Sequence, residues 1–291
     1  MIKNRLLVTG GSGFLGGHLV CQASEEWDVW TTWKTHPVQL SGVRSVKLDI
    51  SSEKAIQDLV KEIQPEIIIH TAAWSDLEKC EENSEQAFYI NTTSTEIFAE
   101  ESTKTGSRFI FISSDMVFDG HQGNYKETDT ANPINIYGKT KLTAEKCIKA
   151  ICSNYVIARS ALIYGPPLTG SNSFSEKILH KISADKTMPL FTDQYRSPVL
   201  VQNLAEALLE LSRSDFSGII HLGGRERIDR YTFGKYLAEI KGFSLDLLKP
   251  VSMSTFKTKA HRPRDTSFDI SKATDILDTR LLGVREGLKR F

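Results

Sequence analysis

Net charge is missing from this chain: among 291 residues Lys plus Arg and Asp plus Glu number 36 each. Without a basic excess, no field gathers nucleic acid or an anionic membrane surface. Long apolar runs are missing as well. None approaches the roughly 20 residues that a spanning helix needs, and Lys3 and Arg5 lead directly into a short apolar stretch and a glycine cluster rather than a leader. Cysteine is scarce. Cys21, Cys80, Cys147 and Cys152 form no CxxC pair and have no histidines at zinc-ligand spacing, which predicts no metal and the reduced thiols of a cytoplasmic protein. With 9 prolines, no repeat, no low-complexity tract and no charge block, collagen-like, disordered and disulfide-scaffold classes are excluded. What remains is 40% hydrophobic and 25% charged, an ordinary globular composition whose expected partner is a small molecule.

The first half alternates short β-branched runs with helical stretches, the pattern of stacked β-α-β units. Strands are predicted at Arg5–Val8, Val29–Thr32, Val46–Leu48, Glu66–His70, Arg108–Ile112 and Tyr155–Ala158. Between them lie segments such as 53–63, where Ala55, Ile56, Leu59, Val60 and Ile63 recur at helical spacing and Pro65 marks the end. The unbroken run Ile67, Ile68, Ile69 suits a strand covered by helices on both faces. The expected fold is therefore α/β: a Rossmann-type doubly wound parallel sheet with a smaller, interleaved C-terminal substrate lobe. A dinucleotide-binding domain is expected over 1–160, with later segments at about 195–225, including a helix at Asn203–Leu211 and a strand at Gly218–Leu222, returning to it. Residues 161–194 and 226–291 would form the lobe.

Strand 5–8 runs into Thr9, Gly10, Gly11, Ser12, Gly13, Phe14, Leu15 and Gly16 and then into a helix. Glycines let backbone approach a pyrophosphate, and the helix N-terminus offers free N–H groups and a positive dipole end. The same letters satisfy both GxGxxG and GxxGxxG, so they do not choose between dinucleotide families. After the second strand an NAD site places an acid against the ribose 2′-hydroxyl. Here the chain reads Thr31, Thr32, Trp33, Lys34, with no acid, and a 2′-phosphate would find Lys34 and the Thr32 hydroxyl. NADP(H) is thus expected, with NAD(H) as the alternative. Asp49 and Ile50 after the third strand would meet the adenine, and the small Ala72 and Ala73 after the fourth would let backbone lie along the cofactor.

A Tyr and a Lys four apart share one helix face, as Tyr137 and Lys141 do, and also Tyr231 and Lys235. Context separates them. Tyr137 begins a helix after the fifth strand, at whose C-terminal end stand Ser113, Ser114 and Asp115, and ligands of open parallel sheets bind at that end. A phenol titrates near about 10 and is an indifferent acid at neutral pH, but a neighbouring ammonium and a cationic nicotinamide would lower it. Tyr137 would then pass a proton to a developing alkoxide, Ser114 would polarise the carbonyl, and Lys141 would also anchor the nicotinamide ribose.

These residues resemble those of the extended short-chain dehydrogenase/reductases, and within them the chain resembles the dTDP-4-dehydrorhamnose reductase family. FISSDMVFDG from Phe111, YKETD from Tyr125 and NPINIYGKTKLTAEK from Asn132 are close to that family's central block. SNSF from Ser171 matches its substrate-binding turn, and LFTDQYRSP from Leu190 the segment that follows. The resemblance implies NADPH-dependent reduction of the 4-keto group of a nucleotide-linked 6-deoxyhexose, dTDP-4-dehydro-L-rhamnose first among them, in rhamnose biosynthesis. It implies Gly13, Phe14 and Leu15 at the pyrophosphate, Asp49 and Ile50 at the adenine, and Ala72, Ala73, Trp74 and Ser75 at the nicotinamide side. Ser114 and Asp115 would face the sugar, with Asn172 in the turn; a homodimer would be compatible.

Two departures bear on the sugar: Met116 stands where the reductases usually carry tyrosine, and Leu162 where they carry tryptophan. Arg196 also departs, lying in the DQ segment; with Arg262 and Arg264 of HRPRDTSFD it is a candidate for a substrate diphosphate. HRPRDTSFD and SSDMVFDG are also similar to the regulatory β subunit of methionine adenosyltransferase, an NADP-binding partner protein. A nucleotide-sugar epimerase is the third reading, against which the missing acid after the second strand counts.

Overall fold

The computed structural model describes residues 3–169 and 173–291. Strands β1 (Arg5–Thr9), β2 (Asp28–Trp33), β3 (Val43–Lys47), β4 (Ile67–His70), β5 (Arg108–Ser114) and β6 (Tyr155–Ser160) form one parallel sheet with a seventh strand, Gly218–Leu222. From one edge the order is 218–222, β6, β5, β4, β1, β2, β3. Between and beyond the strands run α1 (Phe14–Ala23), α2 (Glu53–Ile63), α3 (Leu77–Glu82), α4 (Ser84–Phe88), α5 (Ser94–Thr105), α6 (Ile136–Ile151), α7 (Phe174–Ile182), α8 (Val201–Arg213) and α9 (Arg230–Lys241).

The apolar strand runs are explained by the two faces. Leu6, Val8, Ile67, Ile69, Ile110 and Ile112 enter one core, shared with Leu19 of α1 and Leu204 and Leu208 of α8. Leu7, Ile68, Phe109 and Phe111 enter the other, against Ile56 and Val60 of α2, Phe98 of α5 and Ile148 of α6. Each such fully buried side chain contributes about 1.5–3 kcal/mol of burial, and period-two alternation distributes it to both sides. At the ends of α2, Ser52 accepts the Ala55 N–H and Gln64 takes a left-handed conformation before Pro65. The third strand starts three residues earlier than the sequence suggests. It is an edge strand, half-exposed, with only Val43 and Val46 apolar, so its backbone pairing with β2 fixes it rather than a hydrophobic pattern.

A further core holds Tyr164, Ile178, Leu190, Phe233, Leu237 and Leu248, built on α7, α9 and the parallel pair Met188–Phe191 and Leu248–Val251. The chain crosses to opposite sides of the sheet after β1 and after β4, which are neighbours, so a crevice opens at their C-terminal ends. Among the described residues no helix is long and apolar enough to cross a membrane, and no His/Cys/Asp/Glu group could hold a metal ion.

Candidate active site

At that crevice lies a cleft of about 900 Å³, near the top of the range for small-molecule sites. Gly10, Gly13, Phe14, Leu15 and Gly16 line it from the β1–α1 turn, Thr32 and Lys34 from the end of β2, and Ile50 from beyond β3. Ala72, Ala73, Trp74 and Ser75 follow from the end of β4, and Ser114, Tyr137 and Lys141 close it. The start of the glycine turn is tied to β2 through Thr32. Gly10 N–H donates to Thr32 Oγ1 at 3.1 Å and Gly11 N–H to the Thr32 carbonyl at 2.9 Å. Gly10 has φ +74° and sits so near Ala72 that a β-carbon would come within 3.0 Å of its Cα, so both the turn and the approach need glycine. The N-terminus of α1 has no capping side chain and no acid in its first turn. Among the described residues no side chain caps these donors, which fits a dinucleotide's pyrophosphate.

The loop after β4 is held from behind by groups the sequence reading did not single out. Asn91 accepts the Trp74 N–H at 2.7 Å and donates back to its carbonyl at 2.9 Å. Asn91 lies in a π-helical turn, Tyr89–Thr93, a wide turn of a kind often found at functional sites. The Ala72 N–H donates to Thr9 Oγ1, Thr9 pairs with His70 Nδ1 at 2.8 Å, and His70 Nε2 meets Thr95 Oγ1 at 3.1 Å. Burial first, and the Lys141 charge second, push the His70 imidazole down to about 3, so it works as a neutral relay. The signal for Asn91 was absent from the sequence, because nothing in YINTT announces a π turn.

Ser114 ends β5, and its Oγ accepts the Met116 N–H at 3.2 Å and donates to Asp115 Oδ1 at 3.1 Å. Helix α6 is capped by Asn135, whose Oδ1 accepts the Gly138 N–H at 2.8 Å, while Glu81 accepts that of Ile136 at 2.8 Å. Gly138 lets α6 press against the 115–117 turn, and this brings the Tyr137 hydroxyl beside Ser114. Burial raises the Tyr137 phenol above its ordinary value; the Ser114 hydroxyl pulls the other way, and the Asp115 charge adds to the rise. Lys141, one turn on, is buried with Nζ 4.0 Å from the Phe111 ring centroid. Burial brings it down to about 7, against the pull of Glu145. The expected lowering of the phenol by an ammonium is therefore corrected. In the unliganded site desolvation outweighs charge, and the phenol keeps its proton.

Four more expectations need correction. Arg196 is wholly buried, with Nε 3.2 Å from Asp115 and Nη2 donating to the Pro263 carbonyl at 3.0 Å, so it braces the fold and does not reach the cleft. Asp115 is buried behind Ser114, accepting from Thr266 Oγ1 at 2.6 Å and ion-paired with Arg196, and does not line the cleft where a sugar would lie. Arg262 is held by Glu78 at 2.9 Å and is likewise outside the lining. Asp49 turns to Ser51 and to Lys34, 3.0 Å away, and only its neighbour Ile50 faces the cleft. Asn172 lies outside the described residues. Gln86 and Ile90, which no sequence motif announces, also line the cleft, as does Phe174 of the SNSF turn.

A doubly wound sheet with a dinucleotide-type glycine turn and a Ser, Tyr, Lys set at its strand ends defines an extended short-chain dehydrogenase/reductase. Comparison narrows this. The family described as RmlD substrate binding domain matches residues 4–291. The probable low-salt glycan biosynthesis reductase Agl14 of Haloferax volcanii is 30% identical over 269 residues, covering 91% of this chain and 89% of that protein. The dTDP-4-dehydrorhamnose reductase of Salmonella typhimurium is 30% identical over 255 residues, 84% of each. The structure of the dTDP-4-dehydrorhamnose reductase of Bacillus anthracis in complex with NADP superposes with a TM-score of 0.87 at 27% identity, covering 100% of this chain and 99% of that one. The chain belongs to the RmlD family, that of the dTDP-4-dehydrorhamnose reductases, and is an oxidoreductase.

Proposed function

We propose that the protein reduces the 4-keto group of a nucleotide-linked 6-deoxyhexose with NADPH, dTDP-4-dehydro-L-rhamnose being the substrate to try first. The observation that carries this reading is the meeting of Ser114, Tyr137 and Lys141 at one cleft with an uncapped α1 N-terminus. The α1 N–H groups at Phe14, Leu15 and Gly16 would hold the pyrophosphate, Lys34 and Thr32 the ribose phosphate, and Ile50 the adenine. Ala72 to Ser75 would border the nicotinamide and Lys141 its ribose. When bound, the reduced nicotinamide supplies hydride. Ser114 Oγ turns from Asp115 to donate to the substrate carbonyl oxygen, and Tyr137 Oη gives that oxygen its proton, leaving a secondary alcohol and a phenolate that solvent reprotonates. A phenol held above its ordinary value retains the proton the reduction consumes. Segments 161–194 and 226–291 would form the substrate lobe.

The test is consumption of NADPH by the wild-type protein with dTDP-4-dehydrorhamnose, giving dTDP-rhamnose in equal amount. No turnover on any 4-keto nucleotide sugar, with methionine adenosyltransferase retained stoichiometrically, would replace this reading with that of a binding subunit.

A further inference from the structure

Arg196 is wholly buried in the short strand Tyr195–Arg196, and backbone carbonyls fix its guanidinium. Nη1 donates to the Tyr195 carbonyl at 2.6 Å and Nη2 to that of Pro263 at 3.0 Å, which leaves Nε facing Asp115 Oδ2 at 3.2 Å. Nε lies off the hydrogen-bonding line, so this contact is one of charge. The Thr266 hydroxyl donates to the same Oδ2 at 2.6 Å. The other oxygen, Oδ1, accepts from Ser114 Oγ at 3.1 Å. Behind the cleft a line of contacts thus runs from Arg196 through the two oxygens of Asp115 to Ser114 and on to Tyr137.

A serine hydroxyl has one proton to donate. While Ser114 gives it to Asp115, none is offered to a substrate carbonyl, so the reduction needs a carboxylate that lets it go. A buried carboxylate without a cation is a strong acceptor and would keep it. Here the guanidinium and the Thr266 hydroxyl both stand on Oδ2 and draw the charge to the oxygen remote from Ser114. The same charge, besides burial and against the Ser114 hydroxyl, raises the Tyr137 phenol, so screening it also eases the departure of that proton. Asp265 and Arg262 act on Arg196, and Arg230 of α9 feels Asp115, but among the described residues Arg196 alone is ion-paired with Asp115. We propose that Arg196 is a positioning residue for the reduction: by holding and partly neutralising Asp115 from behind, it frees the Ser114 proton for the substrate oxygen. This role deepens the reductase reading above and rests on it.

The measurement is steady-state and single-turnover reduction of dTDP-4-dehydrorhamnose by the NADPH-saturated protein. Arg196→Met leaves Asp115 buried without its cation and should lower kcat by about ten- to a hundredfold, part of the cost of losing a donor to the developing oxyanion. KM for the sugar nucleotide and NADPH affinity should stay within about threefold, because Arg196 does not line the cleft. Arg196→Lys, which keeps the charge, should recover most of the rate. Arg196→Met combined with Asp115→Asn removes both charges, leaves an amide oxygen for Ser114, and should be at least about tenfold faster than Arg196→Met alone. A strut would behave otherwise: kcat, KM and NADPH affinity would worsen together and the second substitution would not restore the rate, a result that overturns the proposal. Should Arg196→Met not fold, the double variant decides, since it buries no unpaired charge. Its kcat about tenfold above that of Ser114→Ala upholds the role, and a kcat no higher overturns it. A wild type that reduces no 4-keto nucleotide sugar ends the substrate reading and this role together, whereas an active wild type with an unaffected Arg196→Met ends this role alone.

Discussion

Gly138 packs on the Met116 carbonyl so closely that a β-carbon would collide with its oxygen and come within 2.8 Å of Pro133 Cβ. This contact sets how near α6 stands to the turn after β5, and so the separation of Tyr137 from Ser114. Gly138→Ala should push the helix outward and lower kcat by about a hundredfold, the usual cost of a misplacement on the order of 1 Å. NADPH binding, measured by fluorescence, should change little, because the glycine turn is remote from the contact. Full activity would mean that α6 can yield without moving the phenol.

Tyr137→Phe removes only the oxygen, and Ser114→Ala only the polarising hydroxyl. Each should lower kcat by about 10²–10⁴ while leaving NADPH affinity within a small factor of wild type. Single-turnover kinetics separates the chemical step from release. A Tyr137→Phe protein with wild-type kcat would place the proton donor elsewhere.

The sheet was legible in the sequence because its strands are covered on both faces: Ile67 to Ile69 and Phe109 to Ile112 have no polar interruption, and only a doubly wound sheet buries both sides. The glycine turn and Tyr137 with Lys141 were legible because their chemistry depends on short spacings. Arg196 was misread for a physical reason. An arginine's guanidinium fork matches phosphate oxygens wherever it stands in the sequence, and only the tertiary fold shows Asp115 opposite it. The clamp of Asn91 on Trp74 depends on a π turn, and the Gly138 contact on a helix-to-loop distance, neither of which has a periodicity to detect.

Lys34 and Asp49 form an exposed pair at 3.0 Å beside the place proposed for the adenosine ribose. A 2′-phosphate must compete with Asp49 for that ammonium. Lys34→Ala should weaken NADPH by about three- to tenfold, the range of an exposed charge contact, and leave NADH unaffected. Asp49→Asn should tighten NADPH by releasing Lys34. Equal affinity of the wild type for the two cofactors would sink the role given to Lys34.

Lys141 gives the unliganded protein a stability that depends on pH. Its folded value of about 7 lies below the ordinary lysine value of 10.5, so between these limits the unfolded chain binds more protons than the native one. Stability from this group therefore rises as pH rises from 7 to 10.5; below 7 the burial penalty is complete, and above 10.5 it is gone. Lys141→Met, close in volume, removes the titration. The variant should melt above the wild type at pH 6–7 and converge with it towards pH 10, with each kcal/mol worth about 2–4 °C at this chain length. Comparing the two proteins isolates Lys141 from Tyr137 and Cys80, whose raised values act in both and draw stability down at high pH. Saturating NADPH should narrow the gap at pH 6–7, because ribose hydroxyls accepting from the ammonium favour its charged form. A gap that NADPH leaves untouched would separate Lys141 from the cofactor and confine it to the core beneath Phe111.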